Sequence, residues 1–115
     1  MPNVVSVHEY TLDEGVGPAA FERAVAEAER RDLFDLPGLA EYRFLEGLRG
    51  ENEGRYAALW TYESRAAWEA LWGEPGEPID PDEYPECWRT WEEELLAPLL
   101  DRDPDDIAFT SYEVL

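Results

Sequence analysis

The sequence contains a single histidine, His8, which is its most informative candidate for chemistry. It lies two residues before Tyr10 in a β-branched, apolar segment (residues 4–12). An imidazole with an ordinary pKa near ~6.5 can take a proton from a phenolic hydroxyl group close to neutral pH. The other interpretation is a core histidine that is hydrogen-bonded to a neighbour. We therefore treat His8 as the candidate catalytic residue, with the role of a general base.

Aromatic side chains form a second group of candidates, since the chain has five tryptophans and six tyrosines. Flat rings stack on flat ligands, and tyrosine hydroxyl groups can orient a phenol or quinone oxygen. Tryptophans at helical spacing are equally typical of a packed core, and this alternative stays open. The candidate substrate-binding residues are Tyr10, Tyr42, Trp60, Tyr62, Trp68 and Trp72.

Motifs for metals and cofactors are weak. One histidine and one cysteine cannot form a zinc site of ordinary composition. The acidic run 101–106 begins like a calcium loop, but proline stands at its fourth position and Tyr112 at its twelfth. The sequence has no glycine-rich phosphate loop and no G-x-S-x-G nucleophile motif. We expect neither a metal site nor an organic cofactor.

The charge balance narrows the possible partners. Nine arginines and no lysine stand against 28 acidic residues, for a formal net charge of −19. Phosphate binding needs clustered basic residues, so we expect no nucleic acid and no anionic membrane surface as a partner. No apolar segment approaches the ~20 residues of a membrane span, and the start of the chain lacks signal-peptide character. Because Cys87 has no internal disulfide partner, we expect a cytoplasmic protein.

The first half of the chain predicts a strand, a helix and then two further strands, in that order. Residues 4–12 predict a strand, and Pro18 suits the first turn of a helix that residues 36–38 terminate. Alternation predicts a second strand over residues 39–48. After a turn at 50–54, the continuously apolar run 56–62 predicts a central strand.

The second helical region is interrupted. Ser64 predicts the N-cap of a short helix. Residues 73–85 contain four prolines and five acidic residues, which indicates an irregular loop, either a lid or an insertion. Helix resumes near Glu86, and the last strand covers residues 107–115 after an acidic turn. The apolar stripe of the resumed helix is predicted to be Trp88, Trp91, Leu95 and Leu99.

The order βαββαβ predicts an α+β, ferredoxin-like domain over residues 1–115, with an antiparallel sheet and helices on one face. Both faces of most strands carry apolar or aromatic residues, so the open face needs another chain against it. We therefore expect a homodimer that is packed sheet to sheet as a dimeric α/β barrel. His8 and Tyr10 are expected on the face that lines its interior.

Two segments resemble the dimeric α/β-barrel superfamily, specifically its antibiotic-biosynthesis-monooxygenase-like branch. Residues 8–15 resemble the first strand and loop, which lead to residues 21–23 on the first helix. Residues 59–68 resemble the third strand, the turn serine and the start of the second helix. These specific matches cover about a quarter of the chain, whereas the order of elements matches nearly throughout.

The resemblance implies a cofactor-independent monooxygenase that acts on a small aromatic phenol or quinol inside the barrel. Heme-degrading members use a first-strand asparagine, a second-helix tryptophan and a histidine ligand. By position the asparagine falls on His8 and the tryptophan on Leu71, and no second histidine exists. The alternative is a non-catalytic barrel that binds a hydrophobic small molecule or serves as an interaction module. An open cavity at His8 would favour the enzyme, and a filled one the module.

Overall fold

The computed structural model describes residues 2–115, so residue 1 of the predicted domain lies outside the description. The strands and helices are β1 (Val4–Tyr10), α1 (Pro18–Arg30), β2 (Leu39–Glu46), β3 (Tyr56–Tyr62), α2 (Arg65–Trp72), β4 (Gly73–Glu74), β5 (Glu77–Pro78), α3 (Glu86–Thr90) and β6 (Ala108–Glu113). Helical turns outside these elements cover Pro81–Glu83, Trp91–Leu96, Ala97–Leu99 and Pro104–Asp106. Within residues 2–115, no helix is long and apolar enough to cross a membrane.

Four strands form one antiparallel sheet in the order β2-β3-β1-β6. This order is the one expected for two βαβ halves joined by a hairpin, so the predicted ferredoxin-like α+β fold is confirmed. Strands β1, β2 and β6 are each shorter than the sequence predicted. After Tyr10 the chain leaves the sheet, and Leu12 forms a single bridge with Leu100 at the end of the helical segment.

One face of the sheet is covered by the helices and holds the large aromatic side chains. Trp60 is fully buried at its centre. Its ring lies 5.0–5.9 Å, between centroids, from those of His8, Phe34, Tyr42, Phe44 and Trp88. Aromatic side chains bury ~150–250 Å² each, so this cluster supplies much of the apolar area that holds helices and sheet together.

The structure corrects the expected orientation of β1. His8 pairs with Ala58 of β3 and Phe109 of β6, and therefore shares the face that the helices of its own chain cover. We expected this face to line the interior between two sheets. The physical reason for the difference is size, because Tyr10 and Trp60 bury far more apolar area against the helices than the smaller residues of the other face.

No helix of the described chain covers the opposite face of the sheet, and Asn52 of the β2–β3 turn contacts Glu9 near one end of it. Its centre carries the half-buried side chains of Val5, Val7 and Leu59. Towards the edges, the exposed fractions of Leu45 and Tyr112 rise to 42% and 57%. An apolar sheet surface of this kind is typical of a face that meets another chain.

The resumed helix departs from the predicted stripe. After α3 the helix widens into a π-helical turn (Trp91–Leu96), and Leu96 is buried in place of the predicted Leu95. The wider turn fits a spacing of five residues from Trp91 to Leu96. Pro98 accounts for the irregularity, because it offers no N–H group to the carbonyl group four residues earlier, and its ring crowds that carbonyl.

The N-terminus of α2 depends on two close contacts. The backbone N–H of Ala67 donates to the Ser64 hydroxyl oxygen at 3.1 Å, which confirms the predicted N-cap. Gly38 has φ +80°, and a Cβ atom added there would lie 2.6 Å from the Cβ atom of Ala67. The chain between α1 and β2 can therefore pass this helix only with glycine at position 38.

Replacing Gly38 with alanine should destabilise the protein more than the same change at Gly54. Both glycines have φ +80°, but nothing lies within 4 Å of a Cβ atom at Gly54. The left-handed backbone costs about 1–2 kcal/mol at either site, and the clash at Gly38 adds about 1–3 kcal/mol. Urea unfolding of the two variants checks this, and equal losses would contradict the close contact with Ala67.

Candidate functional site

A cavity of about 340 Å³ opens between the helix-covered face of the sheet and the second helical region. Its floor is formed by β1 and β6, and its walls by α2, the β4–β5 hairpin and the segment from α3 to the turn at 104–106. The side chains that line it include Ser6, His8, Tyr62, Trp68, Trp72, Glu74, Tyr84, Trp88, Glu92, Asp105, Phe109 and Ser111. Its volume lies at the lower end of the range typical of small-molecule sites.

His8 lies among aromatic rings on the floor of the cavity. Its ring centroid is 5.9 Å from those of Trp60 and Trp88 and 5.8 Å from that of Phe109. Within residues 2–115, no protein group forms a hydrogen bond with its ring nitrogens. Burial lowers the pKa of His8 to about 4, so the imidazole is neutral at pH 7.

Glu92 brings a carboxyl group into the same cavity from the π-helical turn. Burial, with a smaller contribution from the negative charge of Asp105, raises the pKa of Glu92 to about 7. A carboxyl group that titrates near neutral pH is typical of functional sites. The sequence analysis missed this residue because it belongs to an acidic run. The available signal was its spacing, since Glu92 lies four residues after Trp88 and so shares a helix face with it.

Two hydrogen-bonded pairs complete the polar lining. The hydroxyl groups of Ser6 and Ser111 lie 2.7 Å apart across β1 and β6. The indole N–H of Trp72 donates to the hydroxyl oxygen of Tyr62 at 3.1 Å. Burial raises the pKa of Tyr62 to about 12, so this phenol stays protonated and offers a hydroxyl group rather than a charge.

The structure brings four of the seven predicted site residues together and leaves three outside the cavity. His8, Tyr62, Trp68 and Trp72 line it. The others pack elsewhere, because each has a partner in the core or at its edge. The ring of Tyr10 contacts Phe21, the hydroxyl group of Tyr42 donates to Glu29 at 2.8 Å, and Trp60 is enclosed by other rings.

The acidic segment 73–85 forms the outer wall of the cavity. It contains the short β4–β5 hairpin and a 3-10 turn in place of the irregular loop expected. The ring of Tyr84 lies 5.1 Å from that of Trp72, which anchors the segment to α2. Gly73 is required at the entrance to the hairpin, since it has φ +89° and a Cβ atom there would lie 2.5 Å from the carbonyl oxygen of Glu77.

No cluster of three histidine, cysteine, aspartate or glutamate side chains within residues 2–115 is arranged to hold a metal ion. The ionisable side chains of the cavity are spread along its walls. The site can therefore bind a flat molecule between aromatic rings, and can exchange a proton with it through His8 or Glu92.

Comparison with solved structures supports the fold. A dimeric ferredoxin-like protein of unknown function from Thermobifida fusca has a TM-score of 0.61 and 14% identity, over 98% of this chain and 92% of that chain. SnoaB, a cofactor-independent oxygenase from Streptomyces nogalater, has a TM-score of 0.59 and 15% identity, over 97% and 92%. A proposed antibiotic biosynthesis monooxygenase from Bordetella bronchiseptica has a TM-score of 0.64 and 13% identity, over 100% and 99%.

The predicted resemblance to antibiotic-biosynthesis monooxygenases and related dimeric ferredoxin-like proteins is thereby confirmed at the level of the fold. A hydroxynitrile lyase from Passiflora edulis also has this fold, with a TM-score of 0.62 at 13% identity over 98% of this chain and 94% of that chain. No family model matches the sequence, and no curated protein matches it. The fold thus includes oxygenases and a lyase, and the reaction must be argued from the site.

Replacing Glu92 with glutamine should stabilise the protein at high pH. Between the ordinary carboxyl pKa of 4.5 and the folded-state pKa of about 7, the folded protein keeps a proton that the unfolded chain has lost. Stability therefore falls as pH rises through this window. At ~1.4 kcal/mol for each pKa unit, the variant should gain up to about 3 kcal/mol over wild type at pH 8 and little at pH 4.

Urea unfolding at both pH values in molar KCl measures this difference. The matched control is Glu93→Gln, because Glu93 is the exposed neighbour on the same helical turn. Its free energy of unfolding, relative to wild type, should change little with pH. If the free energies of unfolding of Glu92→Gln and wild type differ by the same amount at pH 4 and pH 8, then burial does not raise the pKa of Glu92.

Proposed function

We propose that this protein binds a small aromatic phenol or quinol in the cavity and oxidises it with O₂, without a metal or organic cofactor. The observation that carries this proposal is His8, which lies without a hydrogen-bond partner in residues 2–115 on the floor of an open, ring-lined cavity. The fold shared with a cofactor-independent oxygenase supports the reaction type. A cavity filled by side chains would have favoured the non-catalytic alternative instead.

In the proposed reaction, written for a phenol that carries hydrogen at its para carbon, His8 accepts the phenolic proton, and the resulting phenolate reacts with O₂ at that para carbon. A C–O bond forms there, the O–O bond then breaks, and the phenolic and para C–H hydrogens leave in one water molecule. The products are a para-quinone and water. The substrate loses four electrons and O₂ gains four, so no other reductant is required.

The low pKa of His8 sets an energetic condition on this step. A phenol has a pKa near ~10, so proton transfer to an imidazole with a pKa of about 4 is uphill by ~6 pKa units, or ~8 kcal/mol. A turnover of ~10 s⁻¹ corresponds to a barrier of ~16 kcal/mol, which leaves room for this step. The phenolate and imidazolium also form as a contact pair in the cavity, where their attraction is stronger than in water.

Substitution of His8 by glutamine should abolish turnover and preserve binding, because glutamine keeps a hydrogen-bonding group and loses the basic nitrogen. With 1-naphthol as the probe, wild type should consume one O₂ for each 1,4-naphthoquinone formed. The variant should be at least ~100-fold slower, with Kd within about threefold of wild type. Oxygen uptake and quinone absorbance measure turnover, and calorimetry measures binding.

The matched control is Glu9→Gln, the adjacent residue on the other face of β1, whose side-chain oxygen still accepts from Asn52. Its turnover should equal that of wild type. Undiminished turnover in His8→Gln would refute the general-base role. Tight binding of 1-naphthol without any oxygen uptake in wild type would leave the protein as a binding module.

We further propose that a second copy of the chain covers the open face of the sheet, as a cytoplasmic homodimer of single-domain subunits. The support is the apolar centre of that face, at Val7 and Leu59, and the dimeric ferredoxin-like relative. Sheet-to-sheet packing would remove this surface from water. The lone Cys87 is compatible with a reducing compartment.

Introducing an arginine at Val7 should convert the dimer into a monomer, because a charge would then be buried at the centre of the interface without a partner. Val7 lies between Leu59 and Thr110 in the sheet. Light scattering in molar KCl measures the mass of each variant. Ala19→Arg on the exposed side of α1 makes the same charge change and should remain dimeric. A monomeric wild-type protein would contradict the proposed dimer.

A further inference from the structure

The charges in the cavity are of one sign. Three carboxyl groups line it, from Glu74, Glu92 and Asp105. None of the nine arginines lies in the lining, and the chain has no lysine. His8 is neutral at pH 7, so no group in the cavity is charged to pair with an anionic ligand. Coulomb repulsion therefore opposes a ligand that carries a carboxylate, sulfate or phosphate group.

Glu92 is the most enclosed of these carboxyl groups. Glu74 and Asp105 lie at the exposed rim, whereas Glu92 is half-buried on the wall. No arginine lies within ion-pair distance of Glu92 in the described chain. The charges that act on it come from Asp103, Asp105 and Glu93, which are all negative. Its environment lacks the cation that would normally accompany a buried carboxylate.

The surrounding rings suit a cation as well as an aromatic body. The ring of Trp72 lies 5.5 Å from that of Trp88 and 5.1 Å from that of Tyr84, in both cases edge to face. The face of an aromatic ring attracts a cation within about 6 Å. Tryptophan rings and carboxyl groups thus line the same cavity, and both kinds of group attract an organic cation.

We infer that the substrate of this cavity is an aromatic phenol that carries a positively charged amine, with the ammonium group paired to Glu92 and the ring directed towards His8. This inference rests on the proposed function, since it concerns the ligand of the same cavity. It adds the charge of the substrate, which neither the fold nor the aromatic lining specifies.

The titration of Glu92 gives the inference a measurable consequence. Because burial raises the pKa of Glu92 to about 7, an ammonium ligand must draw the carboxyl group into its ionised form. Binding should release a proton near pH 7 and strengthen as pH rises through that value. The titratable or charged groups around Glu92 are His8 and Tyr10 on β1, Tyr84 before α3, Glu93 on its own turn, and Asp103 and Asp105 on the facing turn.

Three phenols of one shape and different charge test this selectivity. They are 5-hydroxytryptamine, which is cationic, 5-hydroxytryptophol, which is neutral, and 5-hydroxyindole-3-acetate, which is anionic. Calorimetry at pH 8 in 1 M KCl measures each Kd, because a Debye length of about 3 Å screens the net charge of the protein but not a buried pair. The cation should bind at least tenfold more tightly than the neutral probe, and the anion least tightly.

The Glu92→Gln variant should bind the cationic and neutral probes equally, with its Kd for the neutral probe unchanged. Glu93→Gln removes the same charge from the exposed side of the turn and should keep the full preference. In wild type, lowering the pH from 8 to 6 should weaken binding of the cation only. This pH series tests the inference without any variant.

The possible failures are distinguishable. Equal affinity for the three probes, tighter binding of the anion, or a preference that survives in Glu92→Gln would overturn the choice of a cationic substrate and leave the aromatic cavity in place. Binding of 1-naphthol but of none of the three probes would overturn the inference, whereas failure to bind 1-naphthol as well would contradict the proposed function itself.

Discussion

The burial of Trp60 beneath the helices is the interaction on which the rest of the structure depends. Its ring is fully buried and meets five other aromatic rings, from β1, β2, α3 and the loop after α1. This contact fixes which face of the sheet the helices cover. It therefore places His8, which lies on the same face, beneath its own chain, and leaves the smaller apolar residues around Val7 on the other side.

The cavity exists because the helices do not extend over the whole of the edge strand β6. Phe109 of β6 lies on the covered face, yet 62% of its surface is exposed. The helical segment is irregular here, with a π-helical turn at Trp91–Leu96, and the β4–β5 hairpin closes only the outer side. Irregular helical turns of this kind are frequent at functional sites, since they redirect side chains that a regular helix would place elsewhere.

Burial acts in opposite directions on the two groups that can exchange protons in the cavity. It lowers the pKa of His8 to about 4 and raises the pKa of Glu92 to about 7, because each group is pushed towards its neutral form. At neutral pH His8 is therefore neutral and Glu92 is about half ionised, so any charge in the interior of the cavity is negative. A charged ligand would change the ionisation of these two groups. The fold by itself sets no preference for a charged ligand.

The sequence by itself determined the order of the four strands of the main sheet and of the helices between them, and the cap at Ser64, because these follow from local periodicity and turn chemistry. The order of elements in turn predicted the topology of the sheet. Tertiary structure alone decided which sheet face the helices cover, since both faces are apolar and period-two alternation cannot choose between them. It also decided that Glu92 enters a cavity while Tyr10 joins the core. The burial of these side chains depends on elements that are distant in the sequence, so no local pattern of residues predicts it.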